Sequence, residues 1–472
     1  MVFSSALFVF YFLPVFLLAY LATPPAYRNW TALAGSLAFY TWGAPIFVFV
    51  LIASSLADYY FARQIAQLYD SRQRRHWLGA SIVLNLGLLG YFKYANFFVE
   101  NVNELLATLG LEPMKWMAVA LPVGISFFTF QKLSYVVDVY QRRMPALQHP
   151  VDVLLYIALF PQLIAGPIVR YHEIAEQLHH RRQNYHLDYR INGFFRFTIG
   201  LAKKLFIADV LGEAVQNGFQ PDAVGVLSTP EAWIILIAYA FQIYFDFSAY
   251  SDMAIGLGKL MGFDFPENFN FPYISGSITE FWRRWHLTLS NWMRDYLYIP
   301  LGGNRRGASR TYFNLWMVFL LSGLWHGAAW SFVLWGAYHG LFLALERLFL
   351  GRWLEAAGKW ISIPFTFLVV LMGWVFFRAE SVELARAYYE ALFSWRGGGW
   401  SFSSQFWFFF SLAAVISFAP ALGGASYRLD SVYSSSTAPA ILAKGAGSMV
   451  ILVLCFSEVA VSGFHPFIYF RF

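Results

Sequence analysis

Ser277-Ile-Thr-Glu-Phe-Trp-Arg-Arg-Trp-His286, then Tyr298-Ile-Pro-Leu-Gly-Gly-Asn-Arg-Arg-Gly307, then Ser322-Gly-Leu-Trp-His-Gly327: these segments decide how the chain is read. Two histidines and five of the eighteen tryptophans fall between residues 277 and 327. Ser277 and Glu280 have the spacing of a capping box, so a helix is expected to begin there. At 100° per residue Trp282, Trp285, Leu289, Trp292 and Tyr296 share one narrow face. Glu280, Arg283, Arg284, Asn291, Arg294 and Asp295 lie opposite. The pattern predicts one amphipathic helix lying at a membrane surface, stopped by Pro300 and the Gly302-Gly303 pair. His286 sits at the edge of its aromatic stripe, and His326 follows inside a new apolar segment.

Outside that stretch the chain is 58% hydrophobic and 13% charged, about half the usual charged share. Long apolar runs recur from end to end. The fold class is therefore all-α polytopic membrane protein, with 11–12 spans expected as well as re-entrant and interfacial helices. No alternating ten-residue strands of an outer-membrane barrel are visible. The net charge is +6, and Lys and Arg cluster at 63–75, 142–143, 170–204 and 283–310. These clusters are assigned to the cytoplasm, which puts both termini on the periplasmic side. For most of the charges, setting that orientation is the whole role. The first apolar run, 3–22, has no positive segment before it and reads as an uncleaved span.

Spans are expected at 3–22, 29–42, 45–60, 78–98, 117–140, 191–217, 231–258, 312–331, 333–350, 361–378, 404–420 and 447–463. Pro161 and Gly166-Pro167 should break the segment 150–168, and 421–446 reads as a connector. No internal repeat or separate soluble domain is seen, so residues 1–472 form one integral-membrane domain. Its core motifs lie between about 80 and 380, and its last spans and tail occupy 400–472. The single cysteine, Cys455, excludes an internal disulfide, and no Cys/His spacing suggests a metal. There is no P-loop or dinucleotide fingerprint, so ATP hydrolysis and redox cofactors are not expected, nor is a nucleic-acid partner.

Ionisable groups inside apolar spans are costly and are therefore candidates for function. His326, among Gly323, Gly327, Ala328 and Ala329, has small neighbours that leave room either for substrate or for a close helix contact. It can act as a general base or be a neutral histidine bonded between helices. His286 can orient a substrate or merely occupy an interface, and His339 reads as packing. Asp246 and Asp252 need partners, with Lys203, Lys204 or Arg283–Arg284 at hand. A structural ion pair is one role and a proton or ion relay, as in a transporter or flippase, is the other. Arg283, Arg284, Arg294, Arg305, Arg306 and Arg310 form a positive patch suited to a donor's phosphates or to anionic membrane lipid.

Trp282-Arg-Arg-Trp-His286, Leu301-Gly-Gly-Asn304 and Gly323-Leu-Trp-His-Gly327 resemble the membrane-bound O-acyltransferase family. The resemblance is to its bacterial polysaccharide branch, which includes alginate O-acetylation. Met1-Val-Phe-Ser-Ser5, Gly90-Tyr-Phe-Lys-Tyr-Ala-Asn96, Leu121-Pro-Val-Gly-Ile-Ser126, Ile164-Ala-Gly-Pro167 and Tyr244-Phe-Asp-Phe-Ser248 resemble that branch too. The resemblance implies a funnel-like helical fold in the bacterial inner membrane. It maps the family's near-invariant histidine to His326 and its second histidine to His286. It implies no bound cofactor, a cytoplasmic acetyl thioester such as acetyl-CoA as donor, and an exported polymer, alginate or cellulose, as destination. On this reading Arg283, Arg284, Asn304, Arg305 and Arg306 bind the donor. A periplasmic acetyltransferase partner and polysaccharide synthesis and export machinery are implied alongside. The aromatic tail resembles the family's F-x-Y-x-x-F feature, which makes Tyr469 a candidate acyl acceptor between Phe467 and Phe472.

Overall fold

A computed structural model describes residues 2–181, 186–399, 401–423, 433, 435, 437–461 and 466–468. Tyr469 lies outside the described residues, as do positions 424–432, 434 and 436 of the expected connector 421–446, whose residues from 438 onward instead belong to the helix Ala438–Val461. Every regular element among the described residues is helical. The chain divides into two compact units, Met1–His186 with Leu257–Phe265, and Leu187–Gly256 with Pro266–Phe472.

In the first unit the turn expected at Gly43-Ala44-Pro45 separates the helices Arg28–Gly43 and Phe47–Gln67. The segment after residue 150 is broken as expected, into Pro150–Ala158 and Phe160–Leu163. Phe8, Phe39 and Phe160 pack with ring centroids 5.3–6.2 Å apart. The buried Asp58 carboxylate accepts hydrogen bonds from Ser81 Oγ at 2.5 Å and Asn85 Nδ2 at 2.8 Å. Such donors are required because a buried carboxylate without them is strongly disfavoured.

In the second unit the helix Leu187–Ala202 continues through a π-helical turn, Lys203–Ala208, into Asp209–Gly218. The 32-residue helix Thr229–Leu260 runs beside it and supplies its ion-pair partners. Lys204 Nζ lies 2.8 Å from Asp246, and Lys203 Nζ lies 2.6 Å from Asp252, which also receives Arg196 Nε at 2.6 Å. These pairs are the structural role considered for the two aspartates.

The helices Ala308–His326 and Trp330–Leu345 form a tight hairpin whose contact is made by glycine. A Cβ on Gly336 would come 2.3 Å from the Phe319 carbonyl oxygen, and one on Gly323 2.2 Å from that of Phe332. The small residues before His326 thus serve close backbone approach. The amphipathic helix Val382–Phe393, capped by Ser381 Oγ accepting from Leu384 N at 3.1 Å, was not anticipated.

Among the described residues six helices are long and apolar enough to cross a membrane: Ser71–Thr108, Thr229–Leu260, Trp330–Ala357, Lys359–Arg378, Ser404–Leu422 and Ala438–Val461. Other expected spans fold as shorter or more polar helices. The single surface helix over 277–299 is not formed. Helices Ile278–Trp282 and Leu287–Met293 stand in its place, and Trp282, Trp285, Leu289 and Trp292 are buried in protein.

Replacing Gly336 by Val is expected to lower stability by about 1–3 kcal/mol or more, because backbone rather than a movable side chain meets the new atoms. Gly79→Ala meets nothing within 4 Å inside a helix, and should add about 0.5–1 kcal/mol. Thermal unfolding of the detergent-purified proteins checks both. A neutral Gly336→Val would refute the close-packed hairpin.

Candidate active site

Helix formation starts at Ser277 as expected, with Ser277 Oγ accepting from Glu280 N at 3.1 Å. The box is only half made. Glu280 accepts from Gly276 N at 2.8 Å and from Arg284 Nε at 2.8 Å. The Glu346 carboxylate takes the amides of Ile278 at 2.7 Å and Thr279 at 3.1 Å.

The helix then breaks at His286, which adopts φ 45° and ψ 53°. A left-handed conformation costs an L-residue other than glycine roughly 1–2 kcal/mol. Asn268 offsets that cost. Its backbone carbonyl accepts from Leu287 N at 3.0 Å, and its Oδ1 accepts from Thr288 Oγ1 at 2.9 Å. Asn268 Oδ1 also lies 3.0 Å from His286 Nδ1, while Asn268 Nδ2 donates to Ser251 Oγ at 3.1 Å. Since Oδ1 acts as the acceptor throughout, His286 carries its proton on Nδ1 and Nε2 is the basic nitrogen. His286 is 1% exposed, against the edge of Phe247 at 4.7 Å. Burial pushes its imidazole pKa down, so it is neutral near pH 7.

His326 ends the helix Ala308–His326 and is 4% exposed. Its ring meets Trp325 at 4.8 Å, Trp335 at 5.0 Å and Phe377 at 5.1 Å. The Trp325 ring also lies 6.2 Å from that of His286, so the two histidines assigned from sequence converge on one indole. A cavity of about 250 Å³ is lined by Gln216, Tyr239, Gln242, Ser331, Phe377, Arg378 and Ile468 among others. Of these, Phe377 also contacts the His326 ring. His339, expected to pack, is buried against Trp282 and Trp335 at 5.0 and 5.1 Å.

The cationic residues are not equivalent. Arg283, Asn304, Arg305 and Arg306 are exposed, whereas Arg284 is half-buried and bonded to Glu280 and the Asn270 carbonyl. Gly302 and Gly303 turn the 301–304 loop with φ 109° and 54°, and Asn314 Nδ2 donates to the Gly303 carbonyl at 2.9 Å. That loop precedes the helix His326 ends, so 18 residues separate Ala308 from His326, an axial rise of about 27 Å. Arg283 and Arg284 adjoin His286 instead. Sequence reasoning missed Asn268, Thr288, Trp335 and Phe377. Asn268 lies in Pro266-Glu-Asn-Phe-Asn270, whose composition gives no local signal for the role.

A model of the membrane-bound O-acyltransferase family matches residues 75–385. The chain is 46% identical over 407 residues to a probable alginate O-acetylase of Azotobacter vinelandii, an alignment covering 85% of this chain and 80% of the relative. It is 38% identical over 420 residues to a peptidoglycan O-acetyltransferase of Helicobacter pylori, covering 82% and 78%. It is 30% identical over 280 residues to a teichoic acid D-alanyltransferase of Bacillus subtilis, covering 55% and 69%. Both histidines and the arginine patch lie within the matched residues.

A histidine whose pKa is lower folded than unfolded destabilises on the acid side. Below about pH 6.5 the unfolded chain binds a proton that the folded chain does not. His286 should therefore contribute a loss of up to about 1.4 kcal/mol per pH unit as pH falls from 6.5. His286→Asn, which tolerates the left-handed backbone, should flatten the fall in melting temperature between pH 7.5 and 5.5. An unchanged slope would mean that the ring is already charged or solvated.

Proposed function

This chain belongs to the membrane-bound O-acyltransferase family, and from that membership we propose that it moves acetyl groups from a cytoplasmic acetyl thioester to an exported polysaccharide. It is a multi-pass membrane protein and an acyltransferase. The observation that carries the finer reading is identity to a protein named for alginate O-acetylation over most of both chains. Of the two polymers expected, alginate is the one a relative's name supports. The bacterial inner membrane, periplasmic termini, acetyl-CoA as donor, and a periplasmic acetyltransferase partner within the synthesis and export machinery complete the proposal.

In the proposed reaction the acceptor hydroxyl attacks the thioester carbonyl carbon while His326 takes its proton. The C–S bond then breaks, and the thiolate leaves and is protonated. A thioester is the higher-energy acyl donor and an oxygen ester the lower, so the transfer runs downhill without ATP. The position of His326 at a helix C-terminus suits this role, because the carbonyl end favours the positive charge a base acquires. His286, neutral and holding its proton on Nδ1, would orient the donor or acceptor through Nε2. The arginines would hold the donor's phosphates while its uncharged arm enters. Arg283 and Arg284 offer the shorter path, and Arg305 and Arg306 the longer. The acceptor is Tyr469, a partner's serine or the sugar itself. Of the relay groups a transporter would use (Asp246, Asp252 and His326), the two aspartates are engaged in ion pairs, which favours the structural role for them.

Purified protein incubated with labelled acetyl-CoA, a partner extract and alginate tests the proposal. His326→Ala should lower transfer about 10²–10⁴-fold, or roughly 2.7–5.4 kcal/mol of barrier, while the protein stays in the membrane. Unchanged polymer acetylation would remove His326 from the chemistry. Tyr469→Phe should abolish transfer only if that hydroxyl carries the acyl group.

Neutralising Arg305 and Arg306 together, or Arg283 alone, should raise the donor KM, and raised salt should do the same to the parent. Whichever substitution leaves the donor KM unchanged marks arginines that serve topology only.

A further inference from the structure

The C-terminal residues Pro466 to Ile468 are gripped at both of their peptide groups by one buried ion pair. Lys204 Nζ donates to the Pro466 carbonyl at 3.3 Å, and Asp246 Oδ2 accepts from Ile468 N at 2.8 Å. Between these points the Phe467 ring lies under the ammonium, 4.6 Å from Nζ, and meets the Tyr250 ring edge-on at 5.1 Å. Lys204, Asp246 and Phe467 are each 1% exposed. Asp209 adds a second carboxylate to Lys204 at 2.7 Å. Both adjacent lysines at the start of the π-helical turn Lys203–Ala208 bond the helix Thr229–Leu260, Lys203 at Asp252 and Lys204 at Asp246.

Ile468 also lines the 250 Å³ cavity, together with Ser331 and Phe377, and the Phe377 ring packs on His326. We propose that Lys204 and Asp246 are positioning residues, a clamp that holds the C-terminal segment as a wall of the cavity from which the acyl acceptor reaches His326. This rests on the acyl-transfer reading only in assigning that cavity to the acceptor. The clamp binds main-chain groups and one aromatic ring, and so fixes where the chain beyond Ile468 begins. A charged pair purely for packing would have no reason to spend a carboxylate oxygen on that backbone amide.

The test uses the full-length, detergent-purified chain carrying Ile468→Cys and Cys455→Ala, labelled with a hydrophilic maleimide. The parent should react slowly. Asp246→Ala should react at least tenfold faster, and turnover should fall with the donor KM unchanged. Should Asp246→Ala not fold, Asp246→Asn replaces it, since Lys204 keeps Asp209 as counter-charge; it too should label faster than the parent. Equal labelling rates in a folded variant and parent would overturn the clamp. So would a drop in turnover caused wholly by a raised donor KM. The labelling arm needs no activity. Faster labelling of the variant, beside a parent that itself transfers no acetyl, would sink the acyl-transfer reading and leave the clamp standing.

Discussion

Burying a charge away from water costs tens of kcal/mol if it is left alone in a low-dielectric medium, so a buried charge brings its partner with it. In this protein the partners decide where helices sit. Asp252 draws Lys203 and Arg196 from one side, and Arg196 reaches Glu267 with two nitrogens at 2.9 and 2.6 Å. Asp246 and Asp209 share Lys204. Adjacent residues of an α-helix lie about 100° apart, and a looser π-helical winding narrows that angle, which helps both lysines reach one neighbouring helix. The π-helical turn at Lys203–Ala208 supplies that winding, and the same pair then fixes the C-terminal segment.

The candidate site obeys the same rule with neutral groups. His286 is turned inward by a strained backbone angle, and what holds it there is a set of bonds to Asn268, each worth about 0.5–1.5 kcal/mol net. Those bonds also choose the tautomer. One asparagine therefore sets the position of the ring, its protonation pattern and the break between two short helices.

Much of this was legible in the sequence, and the exceptions have physical causes. The cap at Ser277, the turn at Gly43-Ala44-Pro45 and the break near Pro161 are local chemistry, and all three appear where expected. The tryptophan stripe was correctly seen as apolar, but periodicity reports which residues avoid water and not what covers them. Here protein covers them, and the helix ends at His286 because Asn268, eighteen residues earlier, captures Leu287 and Thr288. No window along the chain contains that contact in a recognisable form. Arg196 with Asp252 was missed for the same reason, being 56 residues apart. Gly323 was read as leaving either room or contact, and only the backbone of Phe332 decides for contact.

The two histidines differ in ways that constrain any shared chemistry. His286 is tied to an amide network, whereas aromatic rings pack on His326: Trp325, Trp335 and Phe377. Phe377 lines the 250 Å³ cavity, and its ring packs on the His326 imidazole at 5.1 Å. Phe377 lies one residue before Arg378, whose Nη2 donates to Gln216 Oε1 at 3.3 Å on the cavity wall.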